Sequence, residues 1–316
     1  MSHEHEDGHD SLGKLMSQRE PSDSATTFER EMENLRAIME AVYAHPETLS
    51  LGRIDIFGRS FPLKGELGGD HLIFVDFARR YDLDRRIAEA VAAGLPEIAS
   101  MLEANRSRVG LLVADVAGHS MTDALLTAML HQAFLVGVLY ELTHYGHVTP
   151  KLFEILSTRF YKSSSVTKYI TMIYGEVAED GTFRFISAGH PLPIIYSAEF
   201  GRFVDLEPSC ISSVQPIGLF PTEGDIDRAM ELTPPSESPH AVVNQLRLLG
   251  DGDILLLYTD GASDRIDGEF ADALTPTIRS VASLSAKEIV YALRDELDRL
   301  GAQEDDMTLV AIKRLR

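Results

Sequence analysis

The sequence predicts an α+β fold, and three observations lead to that class. Short runs rich in β-branched and aromatic residues recur from Arg53 onwards, and such runs are typical of strands. The segment EVAEDGTF places an Asp-Gly turn between two of these runs, which predicts a hairpin of antiparallel strands. The helical patterns come in groups instead of alternating with the strands, and such grouping favours α+β over α/β.

Each element follows from its own pattern. The predicted strands are, in chain order, RIDIFGRSF, HLIFVDF, RVGLLVADV, YITMIYGEV, GTFRFISAG, LPIIYSA, DILLLYTDG and MTLVAIKRL. Helices are predicted at about 120–143 and 149–160, and a pair of helices is predicted within 269–300. The 3–4 spacing of apolar residues in the first helix predicts its buried face, which contains Met121, Ala124, Leu125, Ala128, Met129, Leu135 and Leu139.

Composition divides the chain into three parts. Residues 1–25 are polar and predicted to be a disordered tail, residues 26–51 to form an N-terminal helix and linker, and residues 52–316 to form one domain. Two stretches inside that domain, at about 81–106 and 221–249, are interpreted as insertions. The N-terminal helix has apolar residues at the spacing of a short coiled-coil seam, namely Phe28, Met32, Leu35, Met39 and Val42.

Charge and cysteine content exclude several classes of protein. The formal net charge of −20 argues against a nucleic-acid partner, because phosphate backbones repel an acidic surface. The single cysteine, Cys210, excludes an intrachain disulfide and favours the cytosol. The N-terminus lacks the apolar core of a signal peptide, and the apolar stretch 124–140 is shorter than the roughly 20 residues of a membrane span. We therefore expect a cytoplasmic protein with no membrane partner.

Aspartates stand at the ends of several predicted strands. GELGGD ends on Asp70, RVGLLVADV carries Asp115 near its end, DILLLYTDG reaches Asp260, and QEDDMTLV places Asp305 and Asp306 before the last strand. Burying a bare carboxylate costs several kcal/mol unless it is paired or bound to a metal. If these strand ends meet, they form a cluster of oxygen ligands without His or Cys, which suits Mg²⁺ or Mn²⁺.

Each aspartate alone has a plainer interpretation as a turn residue, because Asp-Gly pairs are common in turns. Recurrence at four strand ends favours the metal interpretation instead. Two such ions a few ångströms apart lower the pKa of a shared water and screen the charge of a phosphate under attack.

Seven short motifs then occur in a fixed order. They are GGD (68–70), DVAGH (115–119), AGHP (188–191), PIG (216–218), GDILLLYTDG (252–261), GEF (268–270) and DDMT (305–308). Each motif is weak alone, but the ordered set resembles the bacterial PPM/PP2C-type serine/threonine phosphatases of the SpoIIE/RsbU group over roughly residues 52–316. The resemblance implies a sandwich of two antiparallel β-sheets flanked by helices, with two Mn²⁺ or Mg²⁺ ions at one end.

The resemblance also implies which residues bind the metals. Asp115 matches the carboxylate that bridges both ions, and Asp306 matches a supporting position beside the ligands. The implied ligand set is Asp70, Asp115, the carbonyl of Val116, Asp260 and Asp305, and the four aspartates are also the implied catalytic residues.

The implied activity is hydrolysis of phosphoserine or phosphothreonine on a regulatory protein, by attack of a metal-bridging water. The group's usual substrates are STAS-type anti-sigma-factor antagonists in partner-switching pathways. Two alternatives remain open: a catalytically silent binding module of the same fold, and a hydrolase of small-molecule phosphates. A homodimer contact through residues 26–44 or 81–106 is a further hypothesis, and its alternative is that 81–106 only covers its own strands.

The sequence departs from the group at Ser120, where a glycine is usual. Ser120 is predicted to cap the following helix, with Asp123 as its capping-box partner. His119 and His190 each have a turn-residue interpretation beside a chemical one. Arg59 and Lys64 lie upstream of Asp70, where a phosphate contact is the alternative to simple solvation.

Overall fold

The computed structural model describes residues 27, 29–31, 33–34, 37, 47–63, 68–117, 121–163, 168–204, 206, 211–219, 241–247 and 250–316. Residues Met1–Ala41 form one compact unit and Val42–Arg316 another. In the first unit the described residues from 27 to 37 are helical. The predicted seam residues Phe28, Met32, Leu35, Met39 and Val42 all lie outside the described residues.

The second unit contains two antiparallel β-sheets. Sheet A has the strand order β1-β2-β12-β11-β7-β8, and sheet B has the order β10-β6-β5-β4-β3, with β9 parallel to β6. The strands are β1 (Glu47–Leu51), β2 (Ile54–Phe61), β3 (His71–Asp76), β4 (Arg108–Val116), β5 (Ile170–Ala178), β6 (Thr182–Ala188), β7 (Ile194–Ser197), β8 (Arg202–Val204), β9 (Ser213–Val214), β10 (Asn244–Arg247), β11 (Ile254–Tyr258) and β12 (Met307–Arg314).

Helices cover the outer faces of both sheets. They are α1 (Phe77–Arg80), α2 (Leu83–Ala92), α3 (Pro96–Ala104), α4 (Met121–His144), α5 (Pro150–Ser163), α6 (Asp260–Ser263), α7 (Phe270–Val281) and α8 (Ala286–Leu300), with a 3₁₀ turn at Asn105–Ser107. This α-β-β-α arrangement confirms the predicted α+β sandwich. The β5–β6 hairpin turns at Asp180-Gly181, where Gly181 has a φ of 86°, as its Asp-Gly pair predicts.

The apolar runs are continuous because sheet B is buried on both sides. Leu111 and Val113 of β4 pack between the two sheets, while Leu112 and Ala114 pack against the helical layer of α4 and α5. A second helical layer, α7 and α8, packs on sheet A around residues such as Ile289 and Leu293. A strand with apolar neighbours on both faces loses the hydrophobic alternation of a half-exposed strand.

The buried face of α4 differs from the predicted one. The helix buries Leu126, Leu130, Phe134, Val138 and Leu142, one residue per turn. By contrast, the predicted face residues Leu125, Met129 and Leu139 are 49%, 40% and 44% exposed. The prediction was correct for Ala124, which is buried, and for Leu135, which packs partly against the core, but it was wrong for these three residues. The helix is apolar over much of its circumference, so that spacing alone does not identify the side facing the sheet.

The segment Asp123–His144 of α4 is also long and apolar enough, at mean hydropathy 1.5, to cross a membrane by length and composition. The expectation that this region is too short for a span is therefore corrected. Core helices of globular domains meet the same two criteria, and one face of α4 contributes to the core between sheet B and its helices.

The insertion at 81–106 forms two short helices, α2 and α3, separated at Gly94. Leu102 is buried in the core shared with α4 and α5, and Ile87 and Ile98 pack partly against that core. Val91 and Met101, apolar residues of the same two helices, are exposed. The insertion therefore packs on its own domain with one face and leaves the other uncovered by the described residues.

The stretch 221–249 is not wholly a loop. Residues Asn244–Arg247 form β10, which pairs antiparallel with β6 at the edge of sheet B. Residues 220–240 lie outside the described part. The short strands β1, β8 and β9 were also missing from the prediction, because none of them contains more than two consecutive apolar residues, whereas β7 and β11 do.

Candidate metal centre

Strand pairing brings the predicted carboxylates to one end of the sandwich. In sheet B, β3 runs antiparallel to β4 with His71 opposite Ala114, which puts Asp70 beside Asp115. In sheet A, β11 runs antiparallel to β12 with Tyr258 opposite Leu309, which brings Asp260 near the start of β12. The start of one antiparallel strand always lies beside the end of its neighbour, so these four strands deliver their aspartates together.

The charges of these aspartates act on one another. Burial and, after it, the carboxylates of Asp260 and Asp305 raise the pKa of Asp115 to about 7. Burial, followed by the charge of Asp115, holds the pKa of Asp70 well above its usual range. Burial, Asp264 and Asp305 also raise the pKa of Asp260. The four aspartates therefore form one electrostatic cluster that gathers negative charge at a water-poor site.

Asp70 is fixed by two threonine hydroxyls from the opposite sheet. Its Oδ2 accepts hydrogen bonds from Thr259 Oγ1 and Thr308 Oγ1, both at 2.8 Å. Thr308 N donates in turn to Thr259 Oγ1 at 2.8 Å. Asp70 belongs to sheet B and both threonines to sheet A, so this buried network joins the two sheets at the carboxylate end.

Asp306 holds the loop that carries Asp70. Its Oδ1 accepts from Leu63 N at 2.7 Å and its Oδ2 accepts from Gly69 N at 2.6 Å. A side chain at Gly68 would collide with this carboxylate, so a residue without a Cβ is required there. Asp306 N also donates to Asp305 Oδ1 at 2.8 Å, which orients the neighbouring aspartate. This arrangement gives Asp306 a supporting position.

A buried ion pair stands next to the cluster. Lys168 Nζ lies 2.6 Å from Asp123 Oδ1 and donates to the Ala117 carbonyl at 2.8 Å. Asp123, in the first turn of α4, is fully buried, and its charge contributes to the raised pKa of Asp115. The predicted capping-box pair of Ser120 and Asp123 stays a prediction, because Ser120 lies outside the described residues.

The remaining candidates differ in their surroundings. His190 is buried, and its Nδ1 lies 3.0 Å from Thr171 Oγ1, on the residue opposite Asp115 in the sheet. Burial lowers its pKa to about 3, so it is a neutral core residue and not an exposed turn residue. Arg59 bonds to the Tyr291 hydroxyl on the α8 side of sheet A. His119 and Lys64 lie outside the described residues.

The chemistry of the donor set fits a hard divalent cation. Within the described ranges, no three His, Cys, Asp or Glu side chains are already arranged to hold a metal ion. Burial first, and then repulsion between like charges, raises the pKa values of Asp70 and Asp115, and a bound cation would relieve both costs. Carboxylate oxygens without thiolate or imidazole ligands suit Mg²⁺ or Mn²⁺, and we expect the cluster to tighten when such an ion binds.

Sequence reasoning missed the residues that support the cluster. Thr259 and Thr308 lie inside the motifs YTDG and DDMT, so a hydroxyl residue next to each motif's aspartate was the available signal. Lys168 offers no comparable signal, because its contact with Asp123 joins residues 45 positions apart.

Comparison with known proteins places this geometry in a family. The model of the family "Stage II sporulation protein E (SpoIIE)" matches residues 105–315, about two thirds of the chain. A curated relative, the phosphoserine phosphatase RsbP of Bacillus subtilis, is 28% identical over 158 residues, which cover 50% of this chain and 34% of RsbP. The chain thus spans about a third of the length of that relative.

Two solved structures share the fold. The RsbU and RsbW domains of a Mycobacterium tuberculosis protein match with a TM-score of 0.58 at 22% identity, over 87% of this chain and 63% of that one. The SiaA-PP2C domain of Pseudomonas aeruginosa matches with a TM-score of 0.58 at 15% identity, over 92% and 98%. Together with the extent of the family match, these findings establish that the chain belongs to the SpoIIE family and has the fold of the PP2C-type phosphatases.

Proposed function

We propose that the protein is a metal-dependent serine/threonine phosphatase that hydrolyses phosphoserine or phosphothreonine on a regulatory protein. The observation that carries the proposal is the cluster of Asp70, Asp115, Asp260 and Asp305 at the end of the sandwich, where burial and neighbouring carboxylates raise the pKa values of the first three. Membership of the SpoIIE family supports the same activity.

The proposed ligands are these four carboxylates and the carbonyl of Val116. When bound, Mn²⁺ or Mg²⁺ would supply a nucleophile from water at neutral pH and neutralise charge on the phosphoryl oxygens. Asp115 lies where charges from both sheets meet, which supports a bridging position. Asp70 keeps its orientation through Thr259 and Thr308.

The other buried groups hold the site in place. Asp306 fixes the Gly69 backbone and the position of Asp305, and Lys168 fixes the backbone at Ala117, two residues after Asp115. Preorganised ligands need no rearrangement at the moment of reaction, which is where a rigid site contributes most to rate. His190 is buried and neutral, so it is not proposed as the general acid.

The substrate proposal rests on the relatives. RsbP is named a phosphoserine phosphatase, and the Mycobacterium tuberculosis protein joins an RsbU domain to an RsbW domain. A phosphorylated STAS-type antagonist is accordingly the substrate that we propose to test first. Family and fold do not by themselves fix the partner.

The test is hydrolysis of p-nitrophenyl phosphate and of a phosphoserine-bearing STAS protein, with Mn²⁺, with Mg²⁺ and with a chelator. We expect turnover of both substrates that is lost in chelator and in Asp305→Asn. Asp272→Asn, at an exposed position on α7, is the matched control and should retain turnover. Binding of the phosphoprotein without hydrolysis under any metal condition would favour a silent binding module. Turnover of the small ester alone would favour a small-molecule phosphate hydrolase.

A further inference from the structure

A polar cavity lies far from the carboxylate cluster of the metal centre. It has a volume of about 410 Å³ and opens on the outer face of sheet B, at the end where β4 begins. We call it the arginine pocket; its lining includes Arg108, Glu176, Asp180, Thr182, Arg184 and Gln245. Arg108 and Asp115 are seven residues apart on β4, about 23 Å at the usual rise per residue, so the pocket is separate from the metal centre.

Strand register explains why these side chains meet. Glu176 of β5 lies opposite Arg184 of β6, which lies opposite Gln245 of β10. Arg108 lies opposite Ala178 in the next row on the same face, since residues two apart on a strand share a face. The pocket is therefore built from four neighbouring strands, and its geometry is fixed by the ladder and not by loops.

Arg108 has a buried nitrogen with an unused donor. Its Nη1 is shielded from solvent and makes no hydrogen bond to any described residue. Its ion pair with Glu176 Oε2 spans 3.9 Å, which is too long for a hydrogen bond. Leaving a charged donor buried and unbonded costs free energy, and an acceptor in the pocket would remove that cost.

A second arginine, Arg184, lines the same pocket. It makes neither a hydrogen bond nor an ion pair in the described ranges, although its charge acts on Glu176, which lies opposite it in the ladder. The pocket therefore presents two guanidinium groups in a protein whose formal net charge is −20.

The pocket's two carboxylates are engaged in hydrogen bonds of their own. Glu176 accepts a hydrogen bond at its Oε1 from the Tyr174 hydroxyl at 3.0 Å, and burial raises its pKa, which the charges of Arg108 and Arg184 partly offset. Asp180 is exposed and accepts a hydrogen bond from Thr182 N at 2.8 Å within the hairpin turn. The guanidinium groups of Arg108 and Arg184 therefore keep unused donors at the cavity, together with the Gln245 amide and the Thr182 hydroxyl.

We propose that the arginine pocket binds the phosphate group of a small phosphate monoester. A phosphate presents several acceptor oxygens to the planar fork of a guanidinium, and Arg binds phosphate in this bidentate way. The cavity volume lies within the range of small-molecule sites, so the remainder of the ester has room beside the phosphate.

The test measures binding of inorganic phosphate and of O-phosphoserine by isothermal titration calorimetry, with the full chain in chelator so that no metal recruits the anion. We expect saturable binding of both, weakening as ionic strength rises. Arg184→Gln and Arg108→Gln should each weaken binding by at least about tenfold, because each removes charge-assisted hydrogen bonds. Arg184→Lys keeps the charge but loses the fork and should give an intermediate affinity.

Arg299→Gln is the matched control: this exposed arginine sits at the end of α8 and pairs with Glu296. Thermal unfolding checks that each variant is folded. If Arg108→Gln does not fold, Arg184→Gln alone tests the proposal. The proposal is overturned by equal phosphate affinity in Arg184→Gln and the parent protein, by equal binding of acetate and phosphate, or by no saturable binding up to about 10 mM phosphate.

Discussion

The two ends of β4 gather opposite charges. At its final end, Asp115 lies near the carboxylates of Asp70, Asp260 and Asp305, and burial together with the charges of neighbouring carboxylates raises the pKa values of Asp115 and Asp70. At its first end, Arg108 shares a pocket with Arg184, and described carboxylates do not satisfy either guanidinium fully. The same strand thus joins a site suited to cations to a site suited to anions.

The difference lies in how each end is stabilised without a ligand. The carboxylate end is hydrogen bonded through Asp70 and Asp306, and the raised pKa of Asp115, about 7, allows this carboxyl to take up a proton near neutral pH. The arginine end cannot use that route, because guanidinium groups do not lose their protons at physiological pH. It remains open to water instead. Four predictions test this contrast.

The largest effect is expected for Asp115→Asn. Phosphatase turnover should fall by about 10³-fold, the scale for losing charge stabilisation in a transition state. The free energy of unfolding in chelator should rise by about 1–2 kcal/mol, because one of several repelling carboxylates is gone. Urea unfolding at pH 7 and turnover with Mn²⁺ measure the two quantities. A fall in both turnover and the free energy of unfolding would mean that Asp115 is needed for folding. It would contradict the argument that Asp115 destabilises the metal-free protein by repelling its neighbours.

His190→Gln tests whether water is excluded from the surroundings of His190, at the end of the sandwich that carries the carboxylates. The pKa of His190 is lowered from 6.5 to about 3, so the folded state binds fewer protons than the unfolded state between these values. Stability should therefore fall as pH drops through this window. Between pH 7 and pH 4, the free energy of unfolding should fall by about 2–3 kcal/mol less in the variant than in the parent protein. Identical pH profiles of the unfolding free energy would show that His190 is hydrated.

Thr308→Val tests the support of Asp70. The substitution removes a hydroxyl that donates to a buried carboxylate, and such a bond contributes about 1.5–3 kcal/mol. Thermal unfolding in chelator should show this loss at pH 7 and a smaller loss at pH 4, where Asp70 is more fully protonated. Ser280→Ala, at an exposed position on α7, is the control and should change stability little.

The smallest effect is expected for Glu176→Gln in the arginine pocket. Removing this carboxylate leaves the charges of Arg108 and Arg184 less balanced, so phosphate should bind a few-fold more tightly in chelator. The Tyr174 hydroxyl still has an oxygen to donate to, which limits the structural cost. Unchanged or weaker phosphate binding would mean that Glu176, and not charge excess, organises the pocket.

The sequence predicted the long strands well, because both of their faces are buried. It misidentified part of the buried side of α4, because only one side of that helix is buried. Continuous apolar runs identified the long strands, because both faces of β4 and its neighbours are covered. The same property misled the assignment of α4, whose Val136 is 65% exposed although it is as apolar as the buried Phe134. An apolar residue indicates burial only when the opposite face of its element is polar.

The candidate site divides in the same way. The four aspartates were recognisable because strand ends carry a local signature, and antiparallel pairing then brings such ends together. Lys168 and the hydroxyls of Thr259 and Thr308 were not recognisable as supports, since their roles depend on contacts between elements distant in sequence. The arginine pocket was missed for the same reason: its residues lie on four strands and share no motif.

The position of β12 has a consequence for how the protein is made. This strand comes after all other described elements in the sequence, yet it lies between β2 and β11 inside sheet A. While the chain is being synthesised, β2 and β11 must wait with open edges until residues 307–314 leave the ribosome, and open edges invite wrong pairing. Asp305 and Asp306 emerge at the same late moment. The growing chain therefore has no complete carboxylate cluster, and no means to bind its metals as proposed, until synthesis of the described domain is nearly finished.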